Sequence, residues 1–307
     1  MIRNLLCCLL LGSGLVFPAF AEDTHDLAAI RARQLYIEGK LDEAFAAIVP
    51  LAEQGVPRAQ VLLGLFYERG FGTDPDLAKA LKWYEKGAAQ NQPAGLHNLA
   101  TGYENGELGL PKDLTKAHDL YLRAVAMEYA PSINNLSQMY LYGSGVTQDA
   151  ALGRALLKRA VTLGDPDATA TLAYTLATGD GLPVDLPRAR KLYLIAAAQG
   201  TDWVMRDYGE MLELGEGGPV DLADAEHWYL LAQAAGYVMA GHDMAQMLMD
   251  NAAAAPGRQV DALAWCYWSR SSGPDGSGAN FAGDCDAYAT KLTPDQVAQA
   301  QTLAATF

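Results

Sequence analysis

The sequence LLGLFYERGFGTDPDLAKALKWYEKGAA occupies residues 62–89 and predicts two α-helices joined by a turn. Its first half repeats apolar residues at helical spacing up to Tyr67 and stops at Gly70, which tolerates the positive φ of a helix C-terminus. Asp76 begins the second half, in which apolar residues up to Tyr84 again share one face. So short a loop favours antiparallel packing, because that arrangement buries both apolar faces.

This pattern returns five more times at steps of 36 or 37 residues. The turn position reads Gly70, Gly106, Gly143, Gly179, Gly215 and Asn251. The position that starts the second helix reads Asp76, Asp113, Asp149, Asp185, Asp221 and Arg258. An apolar anchor in the second helix reads Tyr84, Tyr121, Leu157, Tyr193, Tyr229 and Cys266. Six copies in register predict a helical-repeat solenoid.

The recurring aspartates have a structural explanation. An Asp directly before a helix accepts hydrogen bonds from the unpaired N–H groups of the first turn and lies at the positive end of the helix dipole. We therefore expect these carboxylates to be caps and not catalytic groups.

The first 21 residues have the pattern of a secretory leader. Arg3 precedes an apolar run from Leu5 to Phe17, and small residues precede a cleavage site after Ala21. The run is too short to cross a bilayer as a helix, and no further apolar segment follows it. The sequence thus predicts a protein of the periplasm or the exterior with no membrane-spanning segment in its mature chain.

The chain is acidic, with a formal net charge of −14. Nucleic acids and anionic lipids attract Lys and Arg, so this charge argues against both as partners. It favours a basic partner, although carboxylates that only keep a helical array in solution would produce the same charge.

Different segments flank the six copies, which cover residues 57–270. Residues 22–56 predict a helical hairpin of tetratricopeptide type that caps the N-terminal end of the array. Residues 271–307 predict a Gly/Ser-rich linker and then a capping helix, which begins with the capping box Thr293 to Gln296.

The spacing A-x-x-x-L-G-x-x-Y-x-x-G, followed by Asp-x-x-Lys-Ala and Trp-Tyr, is clearest in Ala59–Ala89. It resembles the Sel1-like repeat family, which is related to tetratricopeptide repeats. The resemblance covers Pro57 to about Arg270. It implies an all-α fold, a right-handed α/α solenoid of about seven helical hairpins with a C-terminal capping helix.

In families of this kind the first helices line a concave surface, where a protein or peptide binds. Three positions at i, i+4 and i+7 of each first helix vary in character between copies, and we expect them to bind a partner and to make no packing contacts. The candidates are Glu68, His97, Thr101, Glu104, Asn134, Gln138, Tyr174, Arg206, Glu210, His242 and Gln246. A neighbouring position is polar from the second copy onward, with Asn98, Asn135, Thr171, Asp207 and Asp243, and predicts a hydrogen bond to a nearby loop.

Catalytic and metal-binding motifs are not found in the sequence. No two histidines have the H-E-x-x-H spacing, and the glycine pairs end helices instead of following strands. His97 and His242 share a repeat position four copies apart, too far for one metal ion unless the array curls fully. We expect no catalytic residue, no metal and no cofactor.

The resemblance implies an exported adaptor or regulator that acts by protein–protein interaction. A hydrolase or binding protein directed at the cell wall or at β-lactams is the alternative, because some cysteine-rich relatives have been linked to β-lactams. Those relatives carry a cysteine pair in each repeat, whereas this chain keeps two cysteines in total after the leader.

Those two cysteines, Cys266 and Cys285, predict a disulfide. Export would place them in an oxidising compartment, and within one chain neither has another partner. The bond would hold the C-terminal cap on the array. Two unpaired thiols are the alternative, with Cys266 as a small buried residue.

Overall fold

The computed structural model describes residues 27–251, 257–272 and 281–307, and within them the chain forms α-helices and no β-strand. The predicted leader and most of the predicted linker lie outside these residues. The described helices are α1 (Leu27–Ile37), α2 (Leu41–Glu53), α3 (Pro57–Arg69), α4 (Leu77–Ala89), α5 (Pro93–Asn105), α6 (Leu114–Val125), α7 (Ala130–Tyr142), α8 (Ala150–Thr162), α9 (Pro166–Thr178), α10 (Leu186–Ala198), α11 (Trp203–Leu214), α12 (Leu222–Ala234), α13 (Val238–Asp250), α14 (Gln259–Ser272), α15 (Ala282–Ala289) and α16 (Pro294–Ala304). The predicted all-α repeat fold is confirmed.

The chain divides into two compact units, Met1–Leu172 and Ala173–Phe307. In unit 1, α1 packs on α2, α3 on α4, α5 on α6 and α7 on α8, and α2, α4 and α6 also contact the first helix of the next hairpin. In unit 2, α11 pairs with α12 and α13 with α14, while α10 contacts α11 and α12 contacts α13. Each hairpin therefore covers the apolar face of its neighbour within the unit, as helical repeats require.

The ends of the helices follow the repeated sequence. Helices α3, α5, α7 and α11 end at a glycine in the left-handed region, with φ between 69° and 77°. At the start of each second helix the Asp side chain accepts a hydrogen bond from a backbone N–H of the first turn, for Asp76, Asp113, Asp149, Asp185 and Asp221. The predicted role of these aspartates as caps is confirmed.

A small residue in each first helix gives the second helix room to approach. A Cβ atom at Gly64 would lie 2.7 Å from the ring of Tyr84, and one at Gly209 would lie 2.9 Å from the ring of Tyr229. The rings of Tyr84, Tyr121, Tyr193 and Tyr229 are consequently buried against the first helix of their own hairpin or its neighbours. The hydroxyl groups of Tyr84, Tyr121 and Tyr229 reach the first helices of their own hairpins.

At the C-terminal end, α14 packs against both α15 and α16. Helix α16 begins with the predicted capping box, in which the side chains of Thr293 and Gln296 each bond the other residue's backbone N–H. Cys266 and Cys285 form a disulfide, as the sequence predicts. The ring of Phe307 stacks on that of Trp265 with 3.8 Å between centroids, so the end of the chain lies on the last hairpin.

Candidate functional site

Three of the four tyrosines at the anchor position of the second helices donate a hydrogen bond to a glutamate near the end of the first helix of their own hairpin. The Oη to Oε2 distances are 2.7 Å for Tyr84 and Glu68, 2.6 Å for Tyr121 and Glu104, and 2.7 Å for Tyr229 and Glu213. A charge-assisted bond of this length satisfies a hydroxyl that folding has removed from water. Glu68 and Glu104 are therefore structural acceptors, and the expectation that they make no packing contacts is wrong.

Asn135, one of the polar residues for which a bond to a nearby loop was predicted, bonds a tyrosine hydroxyl instead. Asn135 Nδ2 donates to the Tyr121 hydroxyl over 2.7 Å, from the first helix of the following hairpin. The hydroxyl of Thr101 lies 3.1 Å from the same oxygen. The Tyr121 oxygen is thus a point at which two consecutive hairpins of unit 1 are joined, and for Asn135 this corrects the predicted bond to a nearby loop.

Two further candidates in unit 1 are also engaged within the protein. His97 Nδ1 lies 3.1 Å from Ser132 Oγ, and its ring packs against Tyr121 and Tyr129. Burial lowers the pKa of His97 to about 4, so the ring is neutral at pH 7. Asn134 is buried in α7, whereas Gln138 is half-buried. Packing, and not solvent, surrounds most of the predicted binding residues in unit 1.

In unit 2 more of the predicted partner-binding residues are exposed. Tyr174 on α9 has 42% of its surface exposed, and Glu210 on α11 and Gln246 on α13 are exposed as well. Arg206 differs from these, because its Nε donates to the carboxylate of Asp243 and its Nη1 lies 3.6 Å from Asp207. Its positive charge is therefore already paired inside the protein.

His242, the last candidate, is covered by the C-terminal segment. The Phe281 ring stacks on its imidazole with 4.1 Å between centroids, and Asp284 Oδ2 lies 3.2 Å from Nε2, leaving the residue 9% exposed. Hydrogen bonding to Asp243 and then to Asp284 outweighs burial and raises the pKa of His242. The expectation that the His242 side chain is free to bind a partner is wrong, because Phe281 and Asp284 contact it.

The negative charge of the chain is concentrated in unit 2. Residues 173–307 contain 17 Asp and Glu against 7 Lys and Arg, whereas residues 27–172 contain 16 against 14. Burial, together with the charge of Glu210 and Asp243, raises the pKa of both Asp207 and Glu213, although Arg206 partly offsets this at Asp207. We call Tyr174, Asp207, Glu210, Glu213 and Gln246 the acidic face. Of these, Asp207 and Glu213 were not among the predicted site residues.

Other kinds of site are not indicated by the part of the chain that the structure describes. No three His, Cys, Asp or Glu side chains in it are grouped so that they could hold a metal ion. None of its helices combines the length and the apolar character that crossing a membrane requires.

Solved structures with this fold include two bacterial proteins. A Sel1 repeat protein from Oxalobacter formigenes superimposes with a TM-score of 0.56 at 25% identity, covering 72% of this chain and 88% of the other. The protein c5321, a protective antigen of uropathogenic Escherichia coli strains, superimposes with a TM-score of 0.58 at 25% identity, covering 91% of this chain and 60% of the other.

Curated relatives share shorter segments. Chitin synthase regulator SKT5 of Saccharomyces cerevisiae is 41% identical over 58 residues, which are 19% of this chain and 8% of that protein. An ERAD-associated E3 ubiquitin-protein ligase component, HRD3B of Arabidopsis thaliana, is 34% identical over 112 residues, which are 36% and 17%. The chain thus spans a small part of the length of these relatives.

The family model of the Sel1 repeat matches five consecutive segments, residues 57–92, 93–129, 130–165, 166–201 and 204–237. The sixth hairpin, α13 and α14, lies beyond the last match and lacks the turn glycine and the capping Asp. The matches cover more than half of the chain, and the hairpins that they define are those seen in the structure. The chain therefore belongs to the Sel1 repeat family.

Proposed function

We propose that the chain is a non-enzymatic adaptor or regulator that binds a basic segment of a partner protein on the acidic face of unit 2. The observation that carries this proposal is the exposure of Glu210 on a first helix that also bears Asp207 and Glu213. Carboxylates near one another in a partly buried setting repel, and a cation removes that repulsion. Unit 1, with nearly balanced charge, has no comparable preference.

The relatives support this class of function. Their names describe a regulator of chitin synthase and a component of a ubiquitin ligase, and both are roles carried out with other proteins. Sel1 repeats imply protein partners, and repeat arrays commonly vary surface residues on a constant scaffold to choose them. The partner itself differs between such proteins, so we identify it here by its charge.

We also propose that the chain is exported and cleaved after Ala21, and that it works in the periplasm or outside the cell. The disulfide between Cys266 and Cys285 supports this location, because reducing compartments disfavour such bonds. Mass spectrometry of the mature protein should show Glu22 at its N-terminus. An intact leader on the functional protein would contradict the proposed export.

The binding proposal is tested with three labelled peptides of equal length, rich in arginine, in lysine or in glutamate. We expect fluorescence anisotropy to show binding of the basic peptides, weakening as salt is raised, and no binding of the acidic one. Glu210→Gln should weaken binding. Glu85→Gln, an equal charge change on an exposed position of α4, should not. Equal effects of the two substitutions, or no binding at all, would reject the proposal, and turnover of nitrocefin would favour the hydrolase alternative.

A further inference from the structure

His97 shows what its repeat position contacts inside the array. Its Nδ1 atom lies 3.1 Å from Ser132 Oγ, and its ring packs against the ring of Tyr129. Tyr129 is the residue directly before α7, and Ser132 is the third residue of that helix. Arg206, at the same repeat position, bonds Asp243 of α13. In these two hairpins the position therefore contacts the first helix of the next hairpin.

His242 has the same repeat position in the sixth and last copy, and there α15 takes the place of a next first helix. The His242 ring stacks on that of Phe281, and Nε2 lies 3.2 Å from Asp284 Oδ2. Phe281 directly precedes α15, and Asp284 is the third residue of that helix. The aromatic and the polar residue are thus three positions apart, as they are at the start of α7. The contacts of α15 with His242 therefore repeat those of α7 with His97.

The helix α15 lacks the support that α7 has. Helix α7 has 13 residues and packs on the second helix of its own hairpin, α8. Helix α15 has 8 residues and packs on α14, and among the described residues it makes no extensive contact with the helix that follows it, α16. The contacts with His242 and the bond between Cys285 and Cys266 also hold it. Because α16 packs on α14 as well, the end of the array keeps a cover when α15 leaves.

We propose that His242 marks a binding site for the start of a helix from a partner protein, a helix with an aromatic residue directly before it and a carboxylate at its third position. The chain fills this site with its own Phe281 and Asp284. A partner helix of the same chemistry competes with α15 by stacking on the imidazole ring and by pairing its carboxylate with Nε2. The site is distinct from the acidic face, which attracts positive charge.

The disulfide decides which helix occupies the site. In the dithiol chain α15 can leave, and a partner helix can replace it. Closure joins the Sγ atoms of Cys266 and Cys285; the two thiols lose two protons and two electrons to an external disulfide, which becomes two thiols. Both cysteines are fully buried in the closed form, so an attacking thiolate reaches the bond only after α15 has opened. The closed form is therefore long-lived.

Disulfide trapping with short peptides tests the site. The host is the protein with Phe281→Ala, Asp284→Asn and Cys285→Ser, which keeps Cys266 and disables its own segment. The probe is the peptide FAGDCDAYAT, which has the sequence of residues 281–290. The control peptide AAGNCDAYAT has the same cysteine but neither contact residue.

The two peptides should react with the host at different rates. In a glutathione buffer, whose disulfide form takes up the two electrons, we expect the probe to be joined to Cys266 about fivefold faster than the control. Peptide mapping by mass spectrometry assigns the bond to Cys266. A helical peptide without cysteine that has Phe and Asp three positions apart should slow this reaction. An isomer with the two residues four positions apart should not.

The results that would overturn the proposal are specific. Equal trapping of the probe and the control would show that the site does not recognise the aromatic residue and the carboxylate. Wild-type dimers joined through Cys266 and Cys285 after oxidative refolding would identify a second copy, and not a partner protein, as the occupant. If circular dichroism shows that the host is unfolded, Cys285→Ser alone replaces it, and the probe should still react faster than the control. Failure here leaves the acidic face untouched, because the basic peptides and Glu210→Gln test that face separately.

Discussion

The hydroxyl of Tyr121 lies 2.6 Å from Oε2 of Glu104, deep between two helices of one hairpin. The same oxygen receives a hydrogen bond from Asn135, which belongs to the next hairpin. One phenol group therefore links α5, α6 and α7. Because the hydroxyl is buried and its two partners are half-buried, water competes little for these bonds, and their loss removes a partner from both residues.

Removing this hydroxyl should destabilise the protein. We expect Tyr121→Phe to lower the free energy of unfolding by about 1–3 kcal/mol, since Glu104 and Asn135 lose a buried partner. The urea midpoint of the purified protein measures this. Tyr193→Phe is the matched control, because its hairpin has Ala177 at the position of the glutamate and therefore lacks that carboxylate acceptor. Equal shifts of the two midpoints would contradict the structural role given to the glutamate.

His97 should make the protein less stable in mild acid. Its pKa is about 4 when folded and 6.5 when unfolded, so between these values the unfolded chain binds a proton that the folded chain does not. This contribution to stability is present above pH 6.5 and is lost as the pH falls towards 4. Part of the ring surface remains accessible, so we expect a loss of about 1–2 kcal/mol. His97→Gln should abolish this loss when unfolding is measured at pH 7 and at pH 5.

Asp165 should change the stability of the protein in the opposite direction over much of the same pH range. Burial raises its pKa to about 6, although the N–H of Ala168 bonds its carboxylate. The folded chain therefore binds a proton more tightly than the unfolded chain, and stability rises as the pH falls from about 6 towards 3.8. Asp165→Asn, which keeps a capping side chain, should remove this rise of about 2 kcal/mol. An unchanged pH profile would show that the carboxylate does not titrate in this way.

Reduction of the disulfide should loosen the C-terminal cap. Cys266 and Cys285 are separated by 19 residues in the chain, and opening a loop of that size should cost about 3 kcal/mol by the chain-entropy model. Unfolding with and without reductant measures the difference, and Cys285→Ser should reproduce the reduced state. Thiol titration of the denatured, unreduced protein supplies the check, since two free thiols per chain would contradict the bond.

The contact between His242 and Asp284 should also respond to pH. The pKa of His242 is raised above 6.5 by Asp243 and Asp284, so the stability that protonation contributes is present below pH 6.5 and is lost as the pH rises through the folded value. An NMR titration should find the raised pKa, and Asp284→Asn should lower it. Asp286→Asn is the control, because this carboxylate on the same helix lies near Arg270 instead. Equal effects of both substitutions would argue against a specific contact.

Local chemistry made much of the fold predictable. The positions of the helices depend on residues that lie a few positions apart in the chain. These are the apolar residues at helical spacing, the turn glycines such as Gly70 and the capping aspartates such as Asp76. Repetition of these signals at a constant step required each hairpin to cover the next. The disulfide was predictable for a different reason, because Cys266 and Cys285 were the cysteines left after the predicted leader.

The candidate site was predictable only in part, because burial depends on contacts between residues far apart in the chain. Helical spacing placed Glu104 and Glu210 at related positions of their first helices, yet one accepts a buried tyrosine bond and the other is exposed. The sequence did contain a sign of the bond to Glu104, since three copies combine a glutamate in the first helix with a tyrosine in the second helix.

Nothing local could predict that Phe281 and Asp284 cover His242, because a segment about 40 residues later folds back onto that helix. The sequence by itself determined the repeat, its helix ends and its cysteine pair, all of which rest on short-range geometry or on composition. The tertiary structure decided which side chains of the first helices remain exposed. That outcome depends on what packs against each helix, and the pattern of one helix does not contain it.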